Sequence, residues 1–532
     1  MQLVAYGAQD IYITGNPQIT FFKTVYRRYT NFSMETIEHA FIGTPQFGGK
    51  LSSRIIKNAD LMHKVYLKIT VGSVNPGTNN FAWIRRLGHA IVRQVDVTIG
   101  GTKIDRQYGT WLDIWYELSR KGYHEIGYAN LIGDVPIMTN YNTSVKPEYT
   151  LYIPLQFLFN RFVGLSIPLI ALQYHEVNIN LELENANVLA VRDCNFDMTL
   201  LRVVDASLLV DYIYLDTEER RRFAQVGHEY LIEQIQYNGT ELVNDLVNKY
   251  RLDYKHPTKE LFFAMKNGIY TSGETFVYYT NKDVWDILEA CSWIIEKSIA
   301  LINDPTFIVG GTWIEVLPKT KKNVGLFNVS NNYDQSIWVN PTSLSIGTYG
   351  ITNKISADIN VDKDGNISST NIQTTLTIRD ISFPVSMMED TRFDPCDPVV
   401  YMFNNYGILI DSSVNPVQYG LLQLNGHDRF DRREGMWFNY VQPEMHHTNT
   451  PRDGVNCYSF AIYPEEHQPS GTANLSRIDT VDLTLWFMDS TFTSGLPEFP
   501  LLNANNRIWM FGFNYNVLRV LSGMAGLAYT VG

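Results

Sequence analysis

Apolar and polar residues alternate in several separate stretches of this 532-residue chain, and this period of two restricts its fold more than any other feature. The clearest stretches are 65–71, 95–99, 179–183 and 481–485. Because successive side chains of a strand point to opposite faces, each stretch predicts a strand with one buried and one solvated face. Apart from a few short segments, patterns of helical period are missing, and Tyr, Phe and Gly are plentiful. The sequence therefore predicts an all-β protein of antiparallel sandwiches.

The best helix pattern covers residues 216–226. Asp216 can cap it, Glu219 follows three residues later, and Phe223 and Val226 fall on one face. Its three consecutive arginines, which begin at Arg220, follow acidic residues, so the pattern indicates a charge-balanced helix surface in solvent. We predict that residues 217–227 form a connector helix between two β-domains.

Two segments of the chain share one residue pattern. RRYTNFSMETIEHA begins at Arg27, and RRFAQVGHEYLIEQ begins at Arg221, 194 positions later. In both segments a connector leads into a predicted strand. The residues that correspond at identical spacing are Arg28, Tyr29, Phe32, Glu35 and Ile37 with Arg222, Phe223, Val226, Glu229 and Leu231.

A second pair of matching segments lies further along the chain. A strand, a glycine turn, an Asp-Arg pair and a Gly-x-Trp motif occur in both copies, with one extra residue in the later copy. The matching residues are Ile99, Gly101, Asp105, Arg106, Gly109 and Trp111 with Leu424, Gly426, Asp431, Arg432, Gly435 and Trp437. The two matches favour a duplicated domain, and the alternative is two sandwiches that share turn chemistry without common descent.

The spacing of the two matches predicts an insertion. The second match has an offset of 326 positions (437 minus 111), compared with 194 positions for the first match. The later copy therefore carries roughly 130 additional residues between its two matching segments. We place them at about 266–395, where short alternating segments flank the turn Asp364-Gly365-Asn366.

Charge and cysteine content exclude several classes of protein. The net charge of −12 and the sequence pI of about 5.4 repel phosphate groups, so a nucleic-acid coat is not expected. The four cysteines, Cys194, Cys291, Cys396 and Cys457, have neither ligand spacing nor the density of a disulfide framework, and we expect reduced thiols. The sequence begins without a signal-peptide pattern, and its apolar stretches are shorter than a membrane span.

Motif searches predict no catalytic, cofactor-binding or metal-ligating residues and no cofactor. The phosphate loop, the nucleophile elbow, the HExxH zinc motif and the dinucleotide fingerprint are all missing from the sequence. His446, His447 and His467 resemble a metal set, but adjacent histidines on a strand point to opposite faces, so we expect loop or core residues.

Two charged clusters also have simpler interpretations than a site. Asp362, Asp364 and Asn366 suggest a calcium loop, but Gln373 stands where the bidentate Glu belongs, and a hairpin turn is expected. Another cluster mixes both signs of charge and predicts a surface ion-pair or subunit-contact network rather than an acid/base pair. Its members are Asp428, Arg429, Asp431, Arg432, Arg433 and Glu434.

Several long segments resemble the major capsid protein family of nucleocytoplasmic large DNA viruses. They are MQLVAYGAQDIYITGNPQITFFKTVYRRYTNF, DYIYLDTEERRRFAQVGHEYLIEQ, LQLNGHDRFDRREGMWFNYVQPEMHHTNTP, YSFAIYPEEHQPSGTANLSRID and YNVLRVLSGMAGLAY. The resemblance runs over nearly the whole chain and weakens mainly across the predicted insertion.

The resemblance implies an all-β tandem double jelly-roll of two eight-stranded antiparallel sandwiches, with short connecting helices and long loop insertions. It implies a structural, non-enzymatic protein of the virion whose homotrimers form pseudo-hexameric capsomers that tile an icosahedral shell, assembled in the host-cell cytoplasm. The implied partners are other copies of the chain, neighbouring capsomers, and minor capsid and penton proteins. Direct contact with nucleic acid is not expected.

The expected domains are a 1–25 N-terminal arm, a 26–216 first jelly roll, the 217–227 connector helix and a 228–532 second jelly roll with an outward insertion at about 266–395. By resemblance the arm lies beneath the capsomer and near an inner membrane; the alternative is a first strand or helix of the first sandwich. The alternative for the insertion is packing between the two rolls.

The alternative function is a glycan-binding virion protein in which exposed tyrosines and Trp338 form a sugar platform.

Overall fold

Eight strands between Phe32 and Leu215 form the first sandwich. The computed structural model describes residues 9, 11–24, 26–192, 195–266, 406, 415–488 and 506–529, and the backbone of several strands between 277 and 400. The eight strands are β1 (Phe32–Ala40), β2 (Lys50–Arg54), β3 (Leu61–Val71), β4 (Val92–Ile99), β5 (Thr102–Tyr108), β6 (Tyr149–Pro154), β7 (Val177–Leu183) and β8 (Val203–Leu215). They pair antiparallel in two sheets, in the orders β1-β8-β3-β6 and β2-β7-β4-β5.

Eight further strands repeat this arrangement in the second sandwich. They are β9 (His228–Gln236), β10 (Val247–Arg251), β11 (Pro257–Lys266), β12 (Val417–Leu424), β13 (His427–Asp428), β14 (Asn456–Ser459), β15 (Val481–Phe487) and β16 (Arg507–Leu521). Their sheet orders are β9-β16-β11-β14 and β10-β15-β12-β13, in which every number is eight higher than at the same place in the first sandwich. The predicted all-β tandem double jelly-roll is confirmed.

The alternating segments form the core as predicted. Val65, Leu67 and Ile69 of β3 are fully buried, and β7 and β15 alternate strictly between buried and half-buried residues. Each fully buried aliphatic side chain contributes about 1.5–3 kcal/mol relative to exposure. One sheet face therefore stabilises each sandwich while the other remains available for contacts.

Shorter elements complete the described fold. The helices are Ile11–Thr14, Leu87–Ala90, α1 (Gly109–Ser119), Glu125–Ile132, Pro136–Thr139, Leu158–Arg161, Ala186–Leu189, α2 (Thr217–Gln225) and α3 (Gln442–His446), with a π-helix at Trp437–Val441. Single 3-10 turns lie at Gly122–His124, Val163–Leu165, Leu169–Ala171, Met198–Leu200 and Leu475–Arg477. Minor strands lie at Phe81–Trp83, Ile167–Pro168, Ala190–Arg192, Glu241–Leu242, Arg433–Glu434, Ala473–Asn474 and Met524–Leu527.

The connector helix forms where the capping pattern places it. The Asp216 side chain accepts the Thr217 backbone N–H at 2.8 Å, and α2 then runs to Gln225. None of its residues is buried, in agreement with a solvated surface. Arg220 Nε lies 2.9 Å from Asp60 Oδ1, so one arginine attaches the helix to the first sandwich.

Both Gly-x-Trp motifs occupy the same place in their sandwiches. Each follows the fifth strand and begins a helical segment, α1 in the first and the π-helix in the second. A Cβ atom on Gly109 would lie 2.1 Å from a carbonyl oxygen, that of His89, and one on Gly435 would lie 1.8 Å from the Val417 carbonyl oxygen. Both positions therefore require glycine, because a side chain would collide with backbone.

The two sandwiches differ most between their third and fourth strands. In the first, 20 residues separate Val71 from Val92; in the second, 150 residues separate Lys266 from Val417. Strands in this longer segment are Val277–Tyr278, Thr312–Val316, Gly325–Val329, Ile351–Val361, Ile367–Ile378 and Val399–Val400. Ile351–Val361 pairs antiparallel with Ile367–Ile378, as the predicted hairpin requires. The turn residues Asp362, Asp364 and Asn366, and also Trp338, lie outside the described residues.

The described part of the N-terminal segment lies outside the sheets. Residues 11–24 contain one helical turn, Ile11–Thr14, and the first described strand begins at Phe32. Phe21 and Phe22 are 92% and 98% exposed. Within the described residues no helix has the length and apolar character required to cross a membrane.

Candidate functional site

The two sandwiches meet along a buried contact that we call the seam. Its first-sandwich side consists of α1, β5 and neighbouring loops, and its second-sandwich side consists of β9, β11, β16 and the loop 447–464.

Aromatic rings of both sandwiches pack together at the centre of the seam. Trp111 of α1 is 1% exposed, and its ring centroid lies 5.0 Å from that of Phe262 and 5.7 Å from those of Phe511 and Phe513. Trp115, one turn later, lies 5.4 Å from Phe513. These separations are typical of favourable aromatic pairs. One apolar core therefore runs through both sandwiches and holds them in a fixed relation.

A buried ion network lies beside these rings. Asp113 and Glu117, one turn apart on α1, both contact Arg86 Nη1, at 2.9 and 2.5 Å. Arg452 of the second sandwich contacts Glu117 with its Nε at 2.9 Å and donates its backbone N–H to the same carboxylate at 3.2 Å. Asn449 adds a bond from its side-chain amide to the Glu117 carbonyl oxygen at 2.7 Å. Glu117 thus joins the two sandwiches.

The charges of this network stabilise one another. Burial favours the neutral form of Glu117, but the guanidinium groups of Arg452 and Arg86 outweigh it and hold the pKa of Glu117 at about 2. The pKa of Asp113 is lowered in the same way, against its own burial, by Arg86 and by a hydrogen bond from His89. Arg86 itself has left-handed backbone angles, φ 54° and ψ 44°, a conformation that costs about 1–3 kcal/mol without glycine. In this conformation its guanidinium group reaches both Asp113 and Glu117.

A second ion cluster crosses the seam. Arg161 of the first sandwich lies 2.7 Å from Glu233 of β9, and Lys259 of β11 pairs with the other oxygen of Glu233. Lys259 also donates to the Pro464 carbonyl oxygen at 2.6 Å, and its ammonium lies 4.1 Å from the centre of the Phe513 ring. Burial lowers the pKa of Lys259 to about 8, although Glu233 opposes that shift. The cluster is buried, and its two cations share the single Glu233 carboxylate across the seam.

Two half-open pockets lie at the edge of the seam. The larger, about 430 Å³, lies between β5 and β9 and includes Asp105 and Tyr237 in its lining; the smaller, about 370 Å³, is lined in part by Lys266. The backbone N–H of Ile235 donates to Asp105 Oδ1 at 3.1 Å, across the seam. Burial nevertheless raises the pKa of Asp105 to about 7, so its carboxyl group is largely protonated below neutral pH.

The histidine candidates lie in different surroundings from one another. The strand assumed for His446 and His447 is wrong: His446 ends α3, and His447 follows as its C-cap. The His447 side chain is fully buried between Glu260 and Glu465, whereas the His467 ring lies tilted against that of Phe162, with ring centroids 4.7 Å apart. The structure therefore separates His467 from the other two.

The mixed charge cluster after β12 is exposed, as predicted, but its arginines contact rings. Arg432 lies 4.4 Å from the centre of the Tyr419 ring, and Arg433 lies 5.7 Å from that of Trp437. Arg429 Nε donates to the Tyr458 hydroxyl at 3.3 Å. Within the described residues Arg432 and Arg433 make cation–ring contacts, and the subunit-contact role of the cluster stays a prediction.

The residues that form the seam were not identified from the sequence. Asp113 and Glu117 stand four positions apart within the apolar pattern WLDIWYELS, and two acids on the buried face of a helix are a signal of buried cationic partners. That signal was readable, but the partners were not, because Arg452 lies 335 positions from Glu117.

Two family models match the chain in succession. The model described as "Major capsid protein N-terminus" matches residues 20–216, and the model described as "Large eukaryotic DNA virus major capsid protein" matches residues 219–526. The boundary between the two matches falls at the start of α2.

Known proteins of similar sequence and structure are also viral capsid proteins. Capsid protein 1 of Acanthamoeba polyphaga mimivirus is 40% identical over 100% of this chain and 99% of its own length, and the major capsid protein of Phaeocystis pouchetii virus is 38% identical over the same shares. The solved structure of PBCV-1 VP54 superimposes with a TM-score of 0.63 at 28% identity, covering 96% of this chain and 100% of VP54. The Faustovirus major capsid protein, at 10% identity and a TM-score of 0.61, shares the fold. The chain belongs to the major capsid protein family of large eukaryotic DNA viruses, and it is a structural component of the virion capsid.

Proposed function

We propose that three copies of the chain form a pseudo-hexameric capsomer that tiles an icosahedral shell. The observation that carries this proposal is the repeated strand order: both sandwiches have the same topology, and the seam fixes them side by side. A cyclic trimer of such chains presents six comparable flanks to its neighbours. A flat facet of hexagonal units requires that geometry.

The seam supports the proposal because a tile must be rigid. Trp111 and Glu117 tie the first sandwich to the second through rings and ion pairs that are shielded from water. Salt screens such buried pairs less than surface pairs. The outline of the tile would therefore persist as ionic conditions change during assembly.

Light scattering on the purified chain tests the trimer. The chain has a mass of 61.0 kDa, so the expected species is about 183 kDa, three times that value, at native salt. A species of 61 kDa that persists at high protein concentration would contradict the proposal.

Further partners follow from the capsid role. We infer contacts with neighbouring capsomers and with minor capsid and penton proteins, an arm of residues 1–25 near an inner membrane, and assembly in the host-cell cytoplasm. We infer no catalytic role and no direct contact with nucleic acid. The exposed rings of Phe21 and Phe22 support an arm that packs against another molecule.

Deletion of residues 1–25 tests the arm. Because the described arm residues are exposed, the shortened chain should still form trimers but should fail to build shells with its partner proteins. Loss of folding in the shortened chain would show that the segment belongs to the first sandwich.

A further inference from the structure

Three side chains with metal-binding atoms converge beneath α3 in the second sandwich. Glu260 lies on β11 and Cys457 on β14, and His447 follows α3. Phe262 pairs with Cys457 in the β11–β14 ladder, and Glu260, two residues before Phe262, points to the same sheet face. One oxygen of Glu260, one ring nitrogen of His447 and the Cys457 sulfur all lie within 4.8 Å of one another.

Solvent does not reach this group. The side chains of Glu260 and His447 are 0% exposed, and Cys457 is 0% exposed. Phe262 and Trp115 flank His447, with ring centroids 6.3 and 6.2 Å away. A metal bound here would be shielded by apolar side chains on the second-sandwich side of the seam.

The hydrogen bonds of His447 orient it toward the other two residues. Its Nδ1 lies 2.9 Å from Glu465 Oε1, and its Nε2 lies 2.6 Å from Glu260 Oε1. A histidine that binds metal through one nitrogen and donates the other N–H to a carboxylate is the usual arrangement around protein zinc. Glu465 therefore occupies the supporting position, and Nε2 faces Glu260 and Cys457.

One buried carboxylate oxygen of the cluster has no hydrogen bond within the part of the chain that the structure describes. Glu260 Oε2 is shielded from solvent and has no hydrogen-bond partner among the described residues. An unsatisfied carboxylate oxygen costs free energy when it is buried, and a cation would satisfy it. This observation is independent of the proximity of the three side chains.

We propose that Glu260, His447 and Cys457 form a buried structural site for Zn²⁺. Thiolate, imidazole and carboxylate are the ligands that zinc takes in proteins, and Glu260 can supply both its oxygens to complete four-fold coordination. Zinc binding would displace the proton on His447 Nε2 and the thiol proton of Cys457 to solvent, leaving a neutral imidazole and a thiolate as ligands. Sequence motifs did not indicate this site because His447 lies 187 positions from Glu260.

In the proposed capsomer, the site would hold three segments of the second sandwich together. It would connect β11, β14 and the end of α3, directly behind Trp115 of the seam. The alternative is a metal-free ion pair of His447 with its two glutamates, and this alternative predicts that the folded chain retains no metal.

Metal analysis of the full chain distinguishes the two. The protein is purified with added zinc, dialysed, and measured by mass spectrometry of its metal content; about one zinc per chain is expected. Cys457→Ala should reduce that content to near zero, whereas the matched variant Cys194→Ala, which removes a different cysteine, should retain it.

Cobalt provides a second, spectroscopic readout on the wild-type chain. Co²⁺ bound in place of zinc should give the ultraviolet charge-transfer band of a cobalt thiolate, and the band should be unaffected in Cys194→Ala. A folded wild-type chain that retains no zinc and shows no cobalt thiolate band would overturn the proposal. Failure of the trimer in light scattering would leave this result unaffected, so the two proposals fail separately.

Discussion

The strands of the two sandwiches have the same order in their sheets, but the loops that connect these strands differ in length and in the contacts that they make. In the first, a short link of 20 residues joins the third and fourth strands, and the eleven-residue helix α1 supplies Asp113 and Glu117 to the seam. In the second, the same link has 150 residues, the helical segment after Gly435 is a π-helix followed by α3, and the loop beyond supplies Arg452. The two sandwiches therefore have the same strand order, while their loops differ in length and in the side chains that they bring to the seam.

The largest expected effect tests whether the copies are equivalent. Gly109→Ala and Gly435→Ala each drive a Cβ atom into a carbonyl oxygen, at 2.1 and 1.8 Å, so each should lower the free energy of unfolding by about 4 kcal/mol or more, or prevent folding. Chemical denaturation and soluble yield measure the loss.

The matched control is Gly127→Ala, within the helix Glu125–Ile132, where a Cβ meets nothing within 4 Å. Helix propensity predicts that this change is neutral or stabilising by up to about 1 kcal/mol. If alanine is tolerated at one of Gly109 and Gly435 but not at the other, the two Gly-x-Trp motifs are not structurally equivalent.

The next effect concerns the seam. Glu117→Gln removes one of the two carboxylates that buried Arg86 and partly exposed Arg452 share, the other being Asp113, and it should cost about 3–5 kcal/mol in the free energy of unfolding. Glu218→Gln, which removes an exposed pair with Arg221, should cost less than about 0.5 kcal/mol. Equal losses in the two variants would show that the network does not join the sandwiches.

Another effect depends on pH and on Asp105. In the folded chain its pKa is raised to about 7 from an ordinary value of 3.8, so between pH 4 and 7 the folded state binds a proton that the unfolded state has released. This carboxyl group therefore makes stability fall as pH rises through that window, by up to about 1.4 kcal/mol per pH unit.

Asp105→Asn should remove that part of the pH dependence while keeping an oxygen for the Ile235 N–H. Unfolding free energies of the variant and the wild type should agree within about 1 kcal/mol at pH 4 and diverge by pH 7, with the variant more stable. Parallel curves for the two proteins would show that Asp105 is solvated.

The smallest expected effect concerns the long link between the third and fourth strands of the second sandwich. Excision of part of the segment 362–366, which joins the paired strands Ile351–Val361 and Ile367–Ile378, should change the free energy of unfolding by less than about 0.5 kcal/mol, because hairpin connections usually tolerate change. A collapse in soluble yield would instead indicate that the link packs against the sandwiches.

Strands were readable from the sequence because burial on one face imposes a local period of two, as in β7 and β15. The cap of α2 was readable for a similar reason, since Asp216 and Thr217 are neighbours. Helix α1 was missed because Asp113 and Glu117 interrupt its apolar face, and their partners are distant in sequence. Interactions that span hundreds of residues leave no local pattern.

Electron microscopy of the purified chain tests the central claim most directly. The account predicts three-fold particles of hexagonal outline with six comparable lobes, two from each chain. Particles with three lobes, or single chains whose two sandwiches adopt variable relative positions, would contradict it.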